Sequence, residues 1–247
     1  MAQRAVALVT GGGSGIGRAV ACRLADDGAL VVVAGRNPEA LRQTAELIEQ
    51  GDCRICPADV SCEDEVRALV QGIVDEHGRL DVAVNSAGLP SWGLTAELDA
   101  AEWDAVTRTN LTALWLCMKY ELTAMMAQHG GAIVNVCSRI GAHMRVPMQG
   151  AYAASKAGAS ALTRSAAREY IRYGIRVNAV SPGPTDTGMA TWPGETAADR
   201  DSRIERDVPA GRLARPAEVA AAVSWLASPE ASFVVGHDLV VDGGMSA

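Results

Sequence analysis

Apolar positions along this chain follow two different periods. Short β-branched runs recur at Ala5 to Thr10, Leu30 to Ala34, Arg54 to Pro57, Asp81 to Asn85, Ala132 to Cys137, Arg176 to Ser181 and Asp238 to Val241, and runs of this length and composition predict strands. Between them, Gly15 to Asp26, Pro38 to Gln50, Glu63 to His77, Ala101 to Gln128, Ala151 to Tyr173 and Pro216 to Ala227 place apolar side chains at i, i+3 and i+4, the period of an amphipathic helix. Nearly unbroken apolar strands such as Leu30-Val31-Val32-Val33-Ala34 suit a sheet covered on both faces. Right-handed crossovers then predict an α/β fold, a doubly wound seven-stranded parallel sheet with helices on both faces. Asn37-Pro38 and Arg215-Pro216-Ala217-Glu218 read as helix starts, with Pro in the first turn.

Composition narrows this picture. The chain has 247 residues with no Pro/Ser-rich or charged linker, so residues 1–247 are expected to form one domain. Apolar residues are 49% of the chain, enough for a large core. The formal charge is -7, the bases are 20 Arg and 2 Lys, and no basic run occurs, so the footprint of a nucleic-acid-binding protein is missing. No apolar stretch of about 18 residues and no leader-like segment is visible, and a cytoplasmic protein without a membrane partner is expected. Cys53-Arg-Ile-Cys56 has the spacing of a redox motif. It lies in a predicted strand with no second Cys pair or His nearby, so buried reduced thiols are the favoured reading. The four His residues show no ligating pattern, and no metal is expected.

After the first strand the chain reads Thr10-Gly11-Gly12-Gly13-Ser14-Gly15-Ile16-Gly17 and passes into a helix. Glycines allow the backbone to approach a pyrophosphate closely, and the free amides and positive dipole end of the helix offset its charge. A plain tight turn is the competing reading; a P-loop is excluded because no Gly-Lys-Ser/Thr follows. At the end of the second strand, where NAD sites place an acid for the ribose hydroxyls, the chain reads Ala34-Gly35-Arg36-Asn37. Arg36 can pair with a 2′-phosphate, so NADP(H) is favoured over NAD(H); otherwise Arg36 is a solvated residue ahead of the Asn37 cap. Asp59 and Val60, after the third strand, are candidates to bracket the adenine, unless Asp59 is only a cap.

Tyr152 and Lys156 stand four residues apart in a predicted helix, which puts a phenol and an ammonium on one face. A phenol has an ordinary pKa of about 10, and a nearby positive charge favours its ionised form. The pair is therefore a candidate proton donor, provided that the chain also supplies a partner for proton chemistry.

Taken together, these motifs resemble the classical short-chain dehydrogenase/reductase family over essentially the whole length. Besides the glycine turn and Tyr152-x3-Lys156, the resemblance rests on Asn85-Ser86-Ala87-Gly88, Asn110, Ser138, Asn178, Ser181-Pro182-Gly183-Pro184 and Val241-Asp242-Gly243-Gly244. It implies a single-domain Rossmann fold and an NAD(P)-dependent oxidoreductase. Tyr152 then looks like the acid/base, Lys156 lowers its pKa and holds the nicotinamide ribose, Ser138 positions the substrate oxygen and Asn110 holds a relay water. The implied cofactor contacts are Gly11, Ser14, Gly15, Ile16, Gly17, Arg36, Asp59, Val60, Asn85, Ala87, Gly88, Tyr152, Lys156, Pro182, Gly183, Thr185 and Thr187. Structural roles compete for three of the implied site residues: a helix break for Asn110, a strand end for Ser138 and a sheet bridge for Asn85. Two departures are visible: Ser86 replaces the usual second Asn, and the Ser138 to Tyr152 stretch is one residue longer than is commonest. The family also implies a homotetramer assembled through the Ala101 to Gln128 and Ala151 to Tyr173 helices and the C-terminus.

Residues 189–209 read as a charged helical lid with an apolar entrance at Met189 and Trp192. Ser91, Trp92, Met144, Val146 and Met148 either line a roomy apolar pocket with few charges or pack beneath loops. The expected reaction interconverts a small-molecule ketone and a secondary alcohol. A 3-oxoacyl-[acyl-carrier-protein] reductase is the specific alternative, and a silent NADP-binding regulatory protein is an alternative of another class.

Overall fold

Alternation along the strands decides the layering. In a computed structural model that describes residues 4–48 and 52–247, the apolar runs become β1 (Val6–Thr10), β2 (Leu30–Gly35), β3 (Cys53–Pro57), β4 (Val82–Asn85), β5 (Gly131–Val136), β6 (Ile175–Pro182) and β7 (Asp238–Val241). They form one sheet in the order β3-β2-β1-β4-β5-β6-β7, every neighbour parallel. The single domain has helices on both faces of that sheet. All five residues of β1 are buried: Val6 and Leu8 face one core with α3 (Glu63–His77), α5 (Ala113–Ala127) and α7 (Gly150–Tyr170). Ala7 and Val9 face the other, with α1 (Gly15–Asp26), α2 (Pro38–Glu46) and α9 (Pro216–Ala227). Each fully buried Val, Leu or Ile contributes about 1.5–3 kcal/mol on this accounting.

Chain direction across the sheet reverses between β1 and β4. Thr10 is level with Ala34 on one side and Asn85 on the other, so three strand ends share one edge and a crevice opens beyond them, where folds of this kind bind ligands. Helix starts behave as their residues dictate. Asn37 accepts the amides of Glu39 and Ala40 ahead of Pro38, while Glu63, Asp64 and Glu65 occupy the first turn of α3, where the helix dipole favours anions.

Three helix expectations need correcting. The predicted Ala101 to Gln128 helix is two helices, α4 (Ala100–Thr107) and α5, separated by a π-turn at Arg108–Thr112. Apolar period continues through the break, but the Asn110 side chain bonds to a neighbouring loop. The Ala151 to Tyr173 helix ends at Tyr170 and tightens into a 3-10 turn at Ile171–Tyr173, stopped by left-handed Gly174. In α2 the helix ends at Glu46, and residues 49 and 50 of the predicted span lie outside the described residues. The predicted lid contains α8 (Ala197–Asp207), opened by a capping box between Thr196 and Asp199. A one-turn segment, α6 (Arg139–Ala142), follows β5.

Candidate active site

Two glycines make the turn after β1 possible. Gly11 has φ +66°, and a Cβ on it would lie 2.7 Å from the Ala87 amide; a Cβ on Gly17 would lie 2.2 Å from the Gly11 carbonyl. The turn therefore packs backbone against backbone, and the start of α1 faces open space. Ser14 caps α1 in extended conformation without using its hydroxyl, and the first turn holds no acid. Uncompensated amides and an idle hydroxyl fit a pyrophosphate. From behind, Arg18 donates to the Gly13 carbonyl (2.5 Å) and to Thr44 Oγ1 (3.0 Å), and Thr44 donates to the Gly12 carbonyl (2.8 Å). Arg18 and Thr44 brace the turn, a role that neither residue's local sequence announces.

Beyond Ser14 lies a hollow of about 330 Å³ that includes Arg36, Asp59, Val60, Ala87 and Gly88 in its lining. Arg36 is exposed and, among the described residues, forms no ion pair. Asn37 is spent on capping α2. Asp59 Oδ1 accepts the Ser61 amide (2.9 Å) and hydroxyl (2.7 Å), bonds that hold its carboxyl below the usual value, with smaller help from the Arg36 charge. Asp59 is thus a local cap whose own backbone amide donates to Glu65, yet it still borders the hollow.

The second hollow, about 440 Å³, brings together residues that are far apart in sequence. Its walls include Gly11, Ser14, Gly15, Ile16 and Gly17 from the cradle, Ser138, Tyr152 and Lys156 from the middle of the chain, and Pro182, Gly183, Thr185 and Thr187 from the turn after β6. Lys156 is only 5% exposed, and its ammonium donates to the Val136 carbonyl at 2.8 Å, which leaves two N–H groups unassigned. That ammonium lies 6.0 Å from the centre of the Tyr152 ring. Ser138, extended at the end of β5, accepts the Ile140 amide (3.1 Å), and its own hydrogen remains available to a ligand. The longer Ser138 to Tyr152 stretch folds back through Met144 N to Arg139 O (2.8 Å) and Gly141 N to Met144 O (2.9 Å). His143 fastens this loop to buried Asp238 at 3.1 Å. Ser138 and Tyr152 thus share one hollow despite the extra residue.

Asn110 and Asn85 line neither hollow. The Asn110 amide accepts Leu89 N (2.7 Å) and donates to Leu89 O (2.9 Å) and to Ser155 Oγ (3.1 Å), and Ser155 in turn donates to the Tyr152 carbonyl (2.8 Å). It ties the π-turn to both the loop after Gly88 and the helix that carries Tyr152. Asn85 Nδ2 donates to Glu121 Oε2 (2.9 Å) and Asn135 Oδ1 (3.1 Å), the sheet-bridging arrangement. Glu121 is fully buried, its Oε1 has no partner, and desolvation raises its carboxyl to about 7 despite the bond from Asn85. An acid within the Met118, Leu122 and Met125 stripe was its only signal in the sequence.

Of the proposed pocket residues, Ser91 and Val146 line the larger hollow, whereas Trp92, Met144 and Met148 do not. Trp92 packs on Trp192 (ring centres 4.8 Å apart) and Met148 is 39% exposed with φ +67°. Trp192 carries the Arg203 guanidinium 4.0 Å from its ring centre, and Arg203 is paired with Glu195 (2.6 Å) and bonded to the Ala190 carbonyl (2.9 Å). The lid segment is therefore stitched internally, and those bonds hold Glu195 down at about 2. The lining is also less neutral than expected, because Arg139 and Arg203 both belong to it.

All six cysteines are free; burial pushes the Cys53 thiol up to about 11 and Cys137 up to about 12. Among the described residues no cluster of three or more His, Cys, Asp or Glu side chains is arranged for a metal ion, and no helix is long and apolar enough to cross a membrane.

A pyrophosphate cradle that opens onto a phenol, an ammonium and a hydroxyl defines a dinucleotide-dependent oxidoreductase. Comparison with known proteins makes the assignment specific. A family model described as "Enoyl-(Acyl carrier protein) reductase" matches residues 11–246. The chain is 46% identical over 247 residues to cis-4-hydroxycyclohexanecarboxylate dehydrogenase of Sinomonas cyclohexanicum, covering 98% of this chain and 96% of that one. It is 37% identical over 242 residues to the 3-oxoacyl-[acyl-carrier-protein] reductase FabG of Staphylococcus aureus, with 97% of each covered. Among solved structures, actinorhodin polyketide ketoreductase with NADPH superposes with a TM-score of 0.93 at 38% identity, over 98% of this chain and 97% of that one. The chain belongs to the short-chain dehydrogenase/reductase family. It is an NAD(P)-dependent oxidoreductase that acts on CH–OH groups and the corresponding carbonyls.

Proposed function

We propose that the protein interconverts a small-molecule ketone and a secondary alcohol with NADP(H) as its preferred cofactor. The observation that carries this reading is the convergence of Ser138, Tyr152 and Lys156 on one hollow continuous with the glycine cradle. The cradle, the idle Ser14 hydroxyl and the unpaired Arg36 fit the cofactor's phosphates, and Arg36 in place of an acid favours the 2′-phosphate. When bound, the cofactor supplies or accepts hydride. Tyr152 gives a proton to the substrate oxygen in reduction and takes it back in oxidation, while Ser138 donates a hydrogen bond to the same oxygen as charge develops on it. Lys156, anchored on Val136, places its remaining N–H groups toward the nicotinamide ribose and fixes positive charge beside the phenol. The Asn110 amide is spent on Leu89 and Ser155, and through Ser155 it steadies the start of the helix that carries Tyr152. Asn85 supports the cradle through the sheet, and the segment 189–209 closes over the substrate.

Reduction of acyl thioesters on a carrier protein is the second reading, favoured by the likeness to the FabG enzyme and by the matched family. A homotetramer is proposed as well, supported by exposed Trp103 and Trp115 on α4 and α5 and by the fully exposed Phe233; light scattering tests it. Cofactor consumption measured over ketones, aldehydes and acyl thioesters, with NADPH and NADH, decides the function. Turnover of ketones with NADPH is expected, and thioester-only turnover would select the second reading.

A further inference from the structure

Burying a cation without a counter-ion is costly, so a protein that does it inside a ligand cavity leaves a mark of what the cavity takes. Arg139 is such a cation. It follows Ser138 directly, lines the same hollow and is 7% exposed. Its guanidinium has one hydrogen-bond partner, the thioether of Met144, a weak acceptor that brings no charge. Among the described residues no carboxylate lies within ion-pair reach of Arg139, and desolvation pulls it below its ordinary value. The other arginine of the hollow is not comparable: Arg203 is paired with Glu195 and stacked on Trp192. Asp242 and Asp207 partly offset the Arg139 charge from a distance, and Tyr152 is near enough to be felt as well. Asp242 is the strongest of these charges; its Oδ1 accepts the Gly244 amide and its Oδ2 is buried without a partner, yet it forms no ion pair with Arg139.

We infer that Arg139 is the anion anchor of the substrate site, so that the preferred substrate is a ketone or secondary alcohol that also carries a carboxylate. The inference rests on the oxidoreductase reading of this site and adds the charge of the substrate to it. A guanidinium offers a planar fork to a carboxylate, and Ser138 and Tyr152 meet the reacting oxygen at the adjoining wall. Arg139 is then a specificity-determining residue: it orients the substrate and takes no part in proton transfer.

The test compares 4-oxocyclohexanecarboxylate with its methyl ester as substrates for reduction by NADPH. Loss of one charge-assisted contact of this kind corresponds to about 10- to 100-fold. The native protein is expected to favour the acid by at least tenfold in kcat/KM, Arg139→Met to bring the ratio near one, and Arg139→Lys to retain part of it. Because each ratio is taken within one protein, a general loss of active enzyme cancels. Equal use of acid and ester by the native protein, or an unchanged ratio in Arg139→Met, would overturn the anchor while leaving the oxidoreductase reading intact. If no ketone is reduced, that reading itself fails, and the anchor is judged by NMR titration of the NADPH-loaded native protein. Cyclohexanecarboxylate should then bind at least tenfold tighter than cyclohexanecarboxamide, and equal binding would overturn the anchor. The same titration decides the matter should Arg139→Met fail to fold.

Discussion

Replacing Glu121 with Gln tests the energetics beneath the cofactor cradle. Glu121 has no exposed surface, one oxygen bonded to Asn85 and the other without a partner, and burial lifts its carboxyl from 4.5 to about 7. A folded-state value raised above the unfolded one means that the folded protein binds the proton more tightly. The resulting stability is fully present below about pH 4.5 and is lost as pH rises through about 7. The displacement corresponds to about 3 kcal/mol between the two protonation states. Glu121→Gln keeps the shape and can still accept from Asn85, but it cannot ionise. The amide adds its own cost of an unpaired N–H, about 1–3 kcal/mol, at every pH. The difference in stability between variant and native protein should therefore move in the variant's favour by about 3 kcal/mol from pH 4 to pH 8.5. For a chain of this size that is roughly 6–12 °C in relative Tm. Urea or thermal melts at half-unit pH steps, read as the difference between the two proteins, isolate this group from all other titrations. Parallel curves with a constant offset would refute the reasoning.

Removing the Arg36 side chain in Arg36→Ala should weaken NADPH binding by about 10- to 100-fold, the usual size of a lost charge-assisted contact, and leave NADH nearly untouched. Fluorescence titration with both cofactors checks this, and equal effects would take Arg36 out of the phosphate site. Gly17→Ala puts a Cβ 2.2 Å from the Gly11 carbonyl, a clash that only a backbone shift in the cradle can relieve. At least a tenfold loss of affinity for either cofactor is expected, with far-UV circular dichroism unchanged; native affinity would show that the cradle is not the pyrophosphate site.

The fold was legible because strand burial on both sides leaves a plain record. Val31, Val32 and Val33 alternate between the two cores, so every residue of the run had to be apolar, and all seven strands lie where such runs predicted them to within a residue or two at the ends. Cradle and Tyr152-x3-Lys156 were equally readable, since each is a local pattern whose geometry follows from a turn or a helix. What escaped was set by tertiary contact. A helix break was one reading of Asn110, but nothing in the apolar period around it reports that its amide is held by Leu89 and Ser155. Arg139 looked like any loop arginine; only the packing of its loop against α7 carries it into the hollow, where no carboxylate among the described residues comes within ion-pair reach. In the same manner Trp92 and Met148 have the composition of pocket residues, but one is taken by Trp192 and the other is turned outward.

Tyr152→Phe bears most directly on the central claim, because it removes one oxygen and leaves the cradle, Ser138 and Lys156 in place. NADPH consumption with the best ketone found should fall by about 10²- to 10⁴-fold, the usual share of general acid–base catalysis, while NADPH binding stays within a factor of a few of the native protein. Native-like turnover in the variant would contradict the account.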